Sequence, residues 1–335
     1  MAGHDTKAAT RRTAIAGALA YAARQPAQAA SPPRLRFGVL QFGTAQWMAA
    51  VIRRHALDSL HGFALDPMIL ANTDAGRISL MAGASDIAVS DWLFAAVQRA
   101  AGNRLCFAPF SNAYGGIMTG AGSPVRTLAD LRGRTLGVVG GPADKSWLIV
   151  QAAGRAAHAI DLATAAGVVY GAPPLLGAKL LQGELDAVLT YWNFAAMLES
   201  AGLREVVSVA QCAAALGISP RIGLVGFVFH QDWADGNRMT IDGFLAAAGD
   251  ALQRLAGSDD EWLAIRPLMN AGDDALFVRL RDRFRSGIPH EDAAGQQKAA
   301  EQMFAILHET GGARATGGID TLPPGIFWPA GHEAG

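Results

Sequence analysis

The sequence repeats one short pattern after 100 residues. Residues 80–92 (LMAGASDIAVSDW) and 180–192 (LLQGELDAVLTYW) carry leucine, glycine, aspartate and tryptophan at matched positions. Each copy has the order of a helix end, a glycine, an acidic residue, a short apolar strand and a polar-aromatic tip. Gly83 and Gly183 suit the left-handed backbone conformation that often follows a helix.

A second pair of segments supports the repeat. Residues 37–47 and 136–147 both run from an apolar strand through a glycine-containing loop into a helix. A repeat near 100 residues is too long for a solenoid. It predicts two similar α/β lobes, each a mostly parallel sheet flanked by helices. Chance similarity between two ordinary strand–helix–strand units is the alternative.

Composition sets the broad class. The 335 residues suit about two domains, and 51% hydrophobic residues can build substantial cores. A formal net charge of −1 gives no reason to expect a nucleic-acid partner. Cys106 and Cys212 lie far apart and indicate neither a disulfide scaffold nor a zinc site, although pairing in an oxidising compartment stays open.

Residues 1–29 have the layout of a cleavable secretory signal peptide. Basic residues precede an apolar run at 13–23, and residues 27–29 (AQA) form a small-x-small cleavage site. The pair Arg11-Arg12 leaves open whether export uses the general or the twin-arginine route. We therefore expect a periplasmic protein that begins near Ala30; a disordered alanine-rich tail is the alternative.

Two segments are expected to cross between the lobes, at 111–117 and at 222–229. Glycines in these crossings are candidate hinges: Gly115, Gly116, Gly223 and Gly226. The lobe boundaries are then 34–113 with 227–335 for the first lobe, and 117–223 for the second. The helical pattern over 239–308 predicts helices that pack on the first lobe, and 311–335 is expected to be an ordered loop or tail.

Ligands of open parallel sheets bind beyond the carboxyl ends of the strands, so the loops there are the candidate site. In the first lobe the candidates are Gln41, Phe42, Thr44, Asn72, Ser90, Asp91, Asn112 and Tyr114. In the second lobe they are Gly141, Lys145, Ser146, Thr190, Tyr191, Trp192 and Asn193. Tyr114, Tyr191 and Trp192 could stack on a flat ligand, whereas the first helical turns are expected to bury Trp47, Trp92 and Trp147 in the core.

The loop 140–146 is the most informative of these. It joins a strand to a helix start, where backbone N–H groups and the helix dipole favour an anion, and Lys145 adds positive charge. The alternative is that Asp144 caps the helix and Lys145 points to water. The loop lacks the spacing of a dinucleotide or phosphate-loop motif.

No catalytic, metal or cofactor pattern is present in the sequence. It has neither HExxH nor GxSxG, and its eight histidines show no metal-ligand spacing. We therefore expect no catalytic residue, no metal and no cofactor.

Three segments carry a family resemblance. Residues 128–139 (LADLRGRTLGVV), 180–189 and 78–89 resemble the "LxDLKGKxIAV", "ALxxGxVDAxxxxEP" and "ALxxGxxDxA" segments of bacterial solute-binding proteins of ABC importers. The group is the nitrate, sulfonate and taurine binders, which includes binders of thiamine-precursor pyrimidines. The similarity covers about residues 35–255. Trp192-Asn193 replaces the usual Glu-Pro, and residues 41–44 also depart from the group, so its ligands cannot be transferred.

The resemblance implies a monomeric periplasmic binder of the two-lobed, type II-like fold. Such a protein closes on a small solute and delivers it to an ABC permease at the inner membrane. The candidate ligand is a small organic molecule, anionic or heteroaromatic; sulfonates, carboxylates and pyrimidine-like solutes rank above nitrate, and a metal ion ranks lower. Two alternatives remain: a periplasmic accessory or sensory protein, and an enzyme on the same fold, such as a relative of the cysteine-rich fungal-type pyrimidine synthase.

Overall fold

The computed structural model describes residues 31–41, 43–219, 221–289 and 293–329. The predicted signal peptide and Phe42 lie outside the described residues. The strands are β1 (Arg34–Leu40), β2 (Ala64–Leu70), β3 (Ile87–Ser90), β4 (Leu105–Ser111), β5 (Gly116–Thr119), β6 (Thr135–Val139), β7 (Gly167–Gly171), β8 (Ala187–Thr190), β9 (Arg204–Ser208) and β10 (Val225–His230).

The helices pack around these strands. They are α1 (Ala45–Arg54), α2 (Leu57–Leu60), α3 (Thr73–Met81), α4 (Trp92–Ala100), α5 (Lys145–His158), α6 (Leu162–Ala165), α7 (Pro173–Leu181), α8 (Trp192–Ser200), α9 (Val209–Ala215), α10 (Gln231–Gly236), α11 (Arg238–Gly257), α12 (Asp259–Ile265), α13 (Asp274–Ser286) and α14 (Ala293–Ala315). Two 3₁₀ turns occupy Leu128–Leu131 and Arg266–Leu268. No helix among the described residues is long and apolar enough to cross a membrane.

The described strands form two five-stranded sheets with one topology. Sheet A has the order β2-β1-β3-β10-β4, and sheet B has the order β7-β6-β8-β5-β9. In sheet A, β10 runs antiparallel to β3 and β4, and in sheet B, β5 runs antiparallel to β8 and β9. The other strands of each sheet share one direction. The predicted two-lobed α/β fold with mostly parallel sheets is confirmed.

The repeated segments occupy matched places in the two sheets. Gly83 and Gly183 follow α3 and α7 with φ of 67° and 76°, the left-handed conformation that their positions predicted. Asp86 accepts a hydrogen bond from the backbone N of Arg36 at 2.8 Å, and Asp186 accepts one from the backbone N of Thr135 at 2.8 Å. Each aspartate therefore ties the start of one strand to its parallel neighbour.

Two large apolar clusters fill the space around the sheets. One contains the aromatic rings of Phe37, Phe227 and Phe244, with centroids 4.9–5.7 Å apart in edge-on contacts. The predicted core tryptophans are confirmed: Trp47, Trp92 and Trp147 are all buried. Cys106 and Cys212 are both buried and free, which answers the question of their pairing.

The last helix packs beside sheet B, whereas the sequence predicted that the helices of residues 239–308 pack on the first lobe. α11 packs on α1 beside sheet A, but α14 packs on α5, and α13 contacts α8. Met303, Phe304 and Leu307 of α14 share a cluster with Trp147 and Leu148. The apolar face of α14 thus covers the sheet B layer, whereas the lobe boundaries stay a prediction. Residues 316–329 form an ordered loop, as expected.

The first crossing ends in a strand that the sequence did not predict. After β4 the chain passes through residues 112–115 and enters β5 of sheet B. It returns through 216–224, so the whole of β10 lies in sheet A. The crossings bring loops from the two sheets into contact.

Candidate functional site

An ion pair joins the two sheets at their carboxyl ends. Asp91 follows β3 of sheet A, and Lys145 begins α5 after β6 of sheet B. Lys145 Nζ lies 3.1 Å from Asp91 Oδ2, and the two side chains are only 22% and 14% exposed. The strand-end rule, that ligands bind beyond the carboxyl ends of parallel strands, predicted both residues as part of the candidate site, and the structure brings them together.

Arg77 of α3 is a second cation that contacts Asp91. Its Nη2 donates to Asp91 Oδ2 at 2.9 Å, and its Nε donates to Ser90 Oγ at 3.0 Å. The guanidinium also stacks over the Phe94 ring at 4.7 Å, and Nη1 lies 3.5 Å from Asp74. Sequence reasoning missed Arg77 because it examined strand ends, and Arg77 lies within a helix.

Asp91 is well suited to its ionised form. Its other oxygen, Oδ1, accepts the backbone N–H of Phe94 at 2.9 Å and caps α4. Burial acts to raise the pKa of Asp91, but the charges of Lys145 and Arg77 and the bond from Phe94 outweigh it, so the pKa is lowered. Asp91 is therefore the anion that holds two cations at the junction of the sheets.

The carboxylate of Asp144 caps the start of α5. Asp144 Oδ1 accepts the backbone N–H groups of Ser146 and Trp147 at 2.9 and 3.3 Å. The alternative that Asp144 caps the helix is thereby confirmed. The expectation that Lys145 points to water is wrong, because the Lys145 ammonium group pairs with Asp91, which follows β3 of sheet A.

Tyr191 stands beside the capping carboxylate. Its Oη donates to Asp144 Oδ2 at 3.4 Å, a long bond. Burial raises the pKa of Asp144. Burial and the charge of Asp144 raise the pKa of Tyr191. Tyr191 remains 39% exposed, so this phenol–carboxylate pair is open to solvent.

Gly140 makes that close arrangement possible. Its φ is +86°, and a Cβ there would lie 2.4 Å from Asp144 Oδ2 and 2.7 Å from Tyr191 Oη. Any larger residue would push the two side chains apart. The neighbouring Gly141 also has a positive φ, of +91°, with open space around it.

Three buried polar atoms near the crossing lack a hydrogen-bond partner among the described residues. They are Asn112 Oδ1, Tyr114 Oη and Thr190 Oγ1. Thr190 is only 3% exposed, and burial raises the pKa of Tyr114. Buried polar groups are normally paired, so such atoms point to a water or a ligand group.

The remaining candidate residues take part in local structure. The side chain of Asn72 caps α3, and the backbone N of Gln41 donates to Leu70 O. Trp192 packs edge-on against Trp47, with centroids 6.2 Å apart. Thr44 precedes α1, and Ser146 and Asn193 lie in the first turns of α5 and α8, each half-buried.

Two shallow depressions lie away from these residues. One is lined by Gly217, Ser219 and Lys298, and the other by Arg266 and Asn270. Neither holds a convergent set of buried polar groups. The described residues contain no group of three or more His, Cys, Asp or Glu side chains that could hold a metal ion.

Solved structures similar to this chain include binding proteins and an enzyme. The periplasmic aliphatic sulphonate binding protein SsuA of Escherichia coli matches with a TM-score of 0.68 and 16% identity, over 91% of this chain and 95% of that one. The alkanesulfonate-binding protein SsuA of Xanthomonas axonopodis pv. citri, bound to MOPS, matches at 0.64 and 18%, over 90% and 99%. The desulfurization enzyme DSZB matches at 0.54 and 15%, over 88% and 97%.

Topology and likeness together define the two-lobed fold of periplasmic binding proteins. The chain belongs to the NMT1/THI5-like family, whose model matches residues 65–261. The family and fold predicted from residues 128–139 and 180–189 are thereby confirmed. No curated protein matches the chain in sequence.

Proposed function

We propose that this protein is the substrate-binding component of an ABC importer and captures a small organic solute between its two sheets. The observation that carries the proposal is the Asp91–Lys145 ion pair, which joins loops from both sheets at 3.1 Å. A solute held there would touch both lobes and so favour their closure. The sulfonate-binding relatives support this function.

The surroundings of the ion pair suit a compact, polar ligand. Arg77 and Lys145 both pair with Asp91, Asp144 offers a second carboxylate, and Thr190 offers a buried hydroxyl. The exposed face of Tyr191 offers a flat surface. These features favour an organic solute with polar and flat parts over a bare inorganic anion.

The proposal extends to location and partners. Export through residues 1–29 would place the protein in the periplasm as a monomer, where a permease at the inner membrane would receive the solute. We propose no catalytic role. Both cysteines are buried, and burial raises the pKa of each thiol to about 11, which disfavours the nucleophilic thiolate.

A thermal-shift screen tests the function. The solutes are aliphatic and aromatic sulfonates, carboxylates, amines and heteroaromatic compounds. A ligand at 100 times its dissociation constant stabilises the folded state by about 2.7 kcal/mol. Lys145→Ala and Tyr191→Ala should each change the affinity of the protein for the solute that the screen identifies.

Lys179→Ala is the matched control, because Lys179 of α7 pairs with Glu184, which precedes β8, whereas Tyr191 follows that strand at its other end. Equal affinity of all three variants and the parent protein would refute the assigned site. A complete lack of binding across the screen would contradict the function itself.

A further inference from the structure

The start of α5 differs from an ordinary anion-binding helix start. Unpaired backbone N–H groups usually make this position attractive to anions. Here Asp144 Oδ1 already accepts the N–H groups of Ser146 and Trp147. An anionic ligand group approaching α5 would therefore meet a carboxylate.

The nearby cations are already engaged. Lys145 and Arg77 both contact Asp91 Oδ2, at 3.1 and 2.9 Å, and Arg77 also lies near Asp74. With Asp144, the cluster holds two cations and three carboxylates. A further anion would add to an excess of negative charge at short range.

Asp144 has spare capacity to accept hydrogen bonds. Its Oδ2 receives only the long bond from Tyr191 Oη among the contacts of the described residues. The raised pKa of Asp144 agrees, since a fully compensated carboxylate would have a lowered one. A ligand that donates a hydrogen bond would supply the missing compensation.

The comparison of the two sheets gives independent support. In sheet A, Arg77 donates to Ser90 Oγ. The matched residues in sheet B are Gly177 and Thr190, and Thr190 Oγ1 is buried without a partner. Ser90 thus receives an N–H donor from Arg77 of α3, whereas no described side chain supplies one to Thr190. Thr190 immediately precedes Tyr191 in the chain.

We propose that Asp144 and Tyr191 form a subsite for a cationic or N–H-donating nitrogen group, and that Asp144 determines this specificity. The suitable chemistry is an amine, amidinium or guanidinium group, whose N–H bonds reach Asp144 Oδ2. The flat face of an amidinium or guanidinium would also lie on the Tyr191 ring. This inference rests on the proposed binding function and narrows its ligand.

Three probes of similar size test it: the cation benzamidine and the two anions benzoate and benzenesulfonate. Their affinities are measured by titration calorimetry, within the wider screen. The wild-type protein should bind the amidinium in preference to both anions. Asp144→Asn should weaken that binding about tenfold or more, because a charged hydrogen bond is lost, and should leave or improve anion binding.

Asparagine is also a good helix cap, so Asp144→Asn preserves α5. The control Asp273→Asn makes the same change at the cap of α13, where Asp273 accepts the N–H of Leu276, and should leave every affinity unchanged. Tyr191→Phe provides a second variant, in which only the hydroxyl is removed.

The outcomes separate the two claims. Preferential binding of either anion, or an unchanged affinity for benzamidine in Asp144→Asn, overturns the inference and leaves the binding function intact. If no probe and no solute of the wider screen binds, both the inference and the proposed function fail.

Discussion

Asp86 and Asp186 hold equivalent places, and each fastens its strand to a neighbour through backbone hydrogen bonds. Asp86 also pairs with the guanidinium of Arg36. The residues that follow differ between the sheets: Asp91 corresponds to Tyr191, and Arg77 corresponds to Gly177. At the residue scale, the shared positions support the fold, and the differing positions lie at the candidate site.

Asp86→Ala tests this division of roles. The change removes the acceptor of the Arg36 N–H and the carboxylate partner of its guanidinium. We expect the free energy of unfolding to fall by about 1–3 kcal/mol. The affinity for any solute that the screen identifies should stay the same at a temperature where the variant is folded. Denaturant titration and calorimetry measure the two quantities, and a selective loss of affinity with full stability would contradict the structural role.

Asp91→Asn tests the ion pair through its pH dependence. Because the pKa of Asp91 is lowered in the folded state, its stabilising contribution exists above the ordinary value of 3.8 and disappears as the pH falls through the folded-state pKa. We expect the variant to lose about 1–3 kcal/mol near neutral pH and progressively less than that in acid.

The asparagine still caps α4, so the effect isolates the carboxylate. Denaturant titrations of both proteins between neutral and acidic pH measure the difference. A penalty that stays constant down to the lowest pH would mean that the Asp91 charge contributes nothing.

At the scale of elements, the crossing glycines serve close packing. A Cβ on Gly115 would lie 1.8 Å from Thr190 O, and one on Gly226 would lie 2.2 Å from Ala108 O. Gly116 is equally confined between Glu205 and Val207. These close contacts explain why each of the three positions is a glycine. The hinge role expected from the sequence stays a prediction.

Gly226→Ala should therefore destabilise the protein. The added methyl group collides with backbone and with the Phe107 ring inside sheet A, and overpacking of this kind costs about 1–3 kcal/mol. Gly249→Ala is the control, since a Cβ there meets open space on α11. Gly249→Ala should raise the free energy of unfolding by about 0.5–1 kcal/mol. An unchanged free energy of unfolding in Gly226→Ala, measured by denaturant titration, would contradict the close packing around Gly226.

Most elements could be predicted from the sequence because their apolar periodicity is local. The strand–loop–helix segments predicted at 37–47 and 136–147 are β1 with α1 and β6 with α5 in the structure. β5 was missed because its sequence, GIMT, shows no alternation and is stabilised by pairing with distant strands β8 and β9. The packing of α14 on α5 also depends on tertiary contacts that no local pattern encodes.

At the scale of the whole molecule, the strand-end rule located much of the candidate site but not its charge balance. It placed Asp91, Lys145 and Tyr191 in facing loops. It could not predict that Asp91 takes the charge of Lys145, or that Arg77 reaches the same carboxylate from within α3. Such pairings arise from the meeting of two sheets, which the sequence of either one does not determine.

Closure of the two lobes should depend on the Asp91–Lys145 ion pair. Without the Asp91 carboxylate, we expect the Asp91→Asn protein to be more open than the wild type and to have a larger radius of gyration in X-ray scattering. Saturation with a screen hit should return it toward the wild-type value, because the solute bridges the lobes. Identical radii for both proteins, with and without the hit, would argue that the lobes are fixed.

A crystal structure of the protein with the best solute from the screen tests the central claim most directly. We predict ligand density between the two sheets, in contact with Tyr191 and with the Asp91–Lys145 pair. Density confined to an outer depression, such as that beside Lys298, would contradict the claim that this protein captures its solute between two lobes.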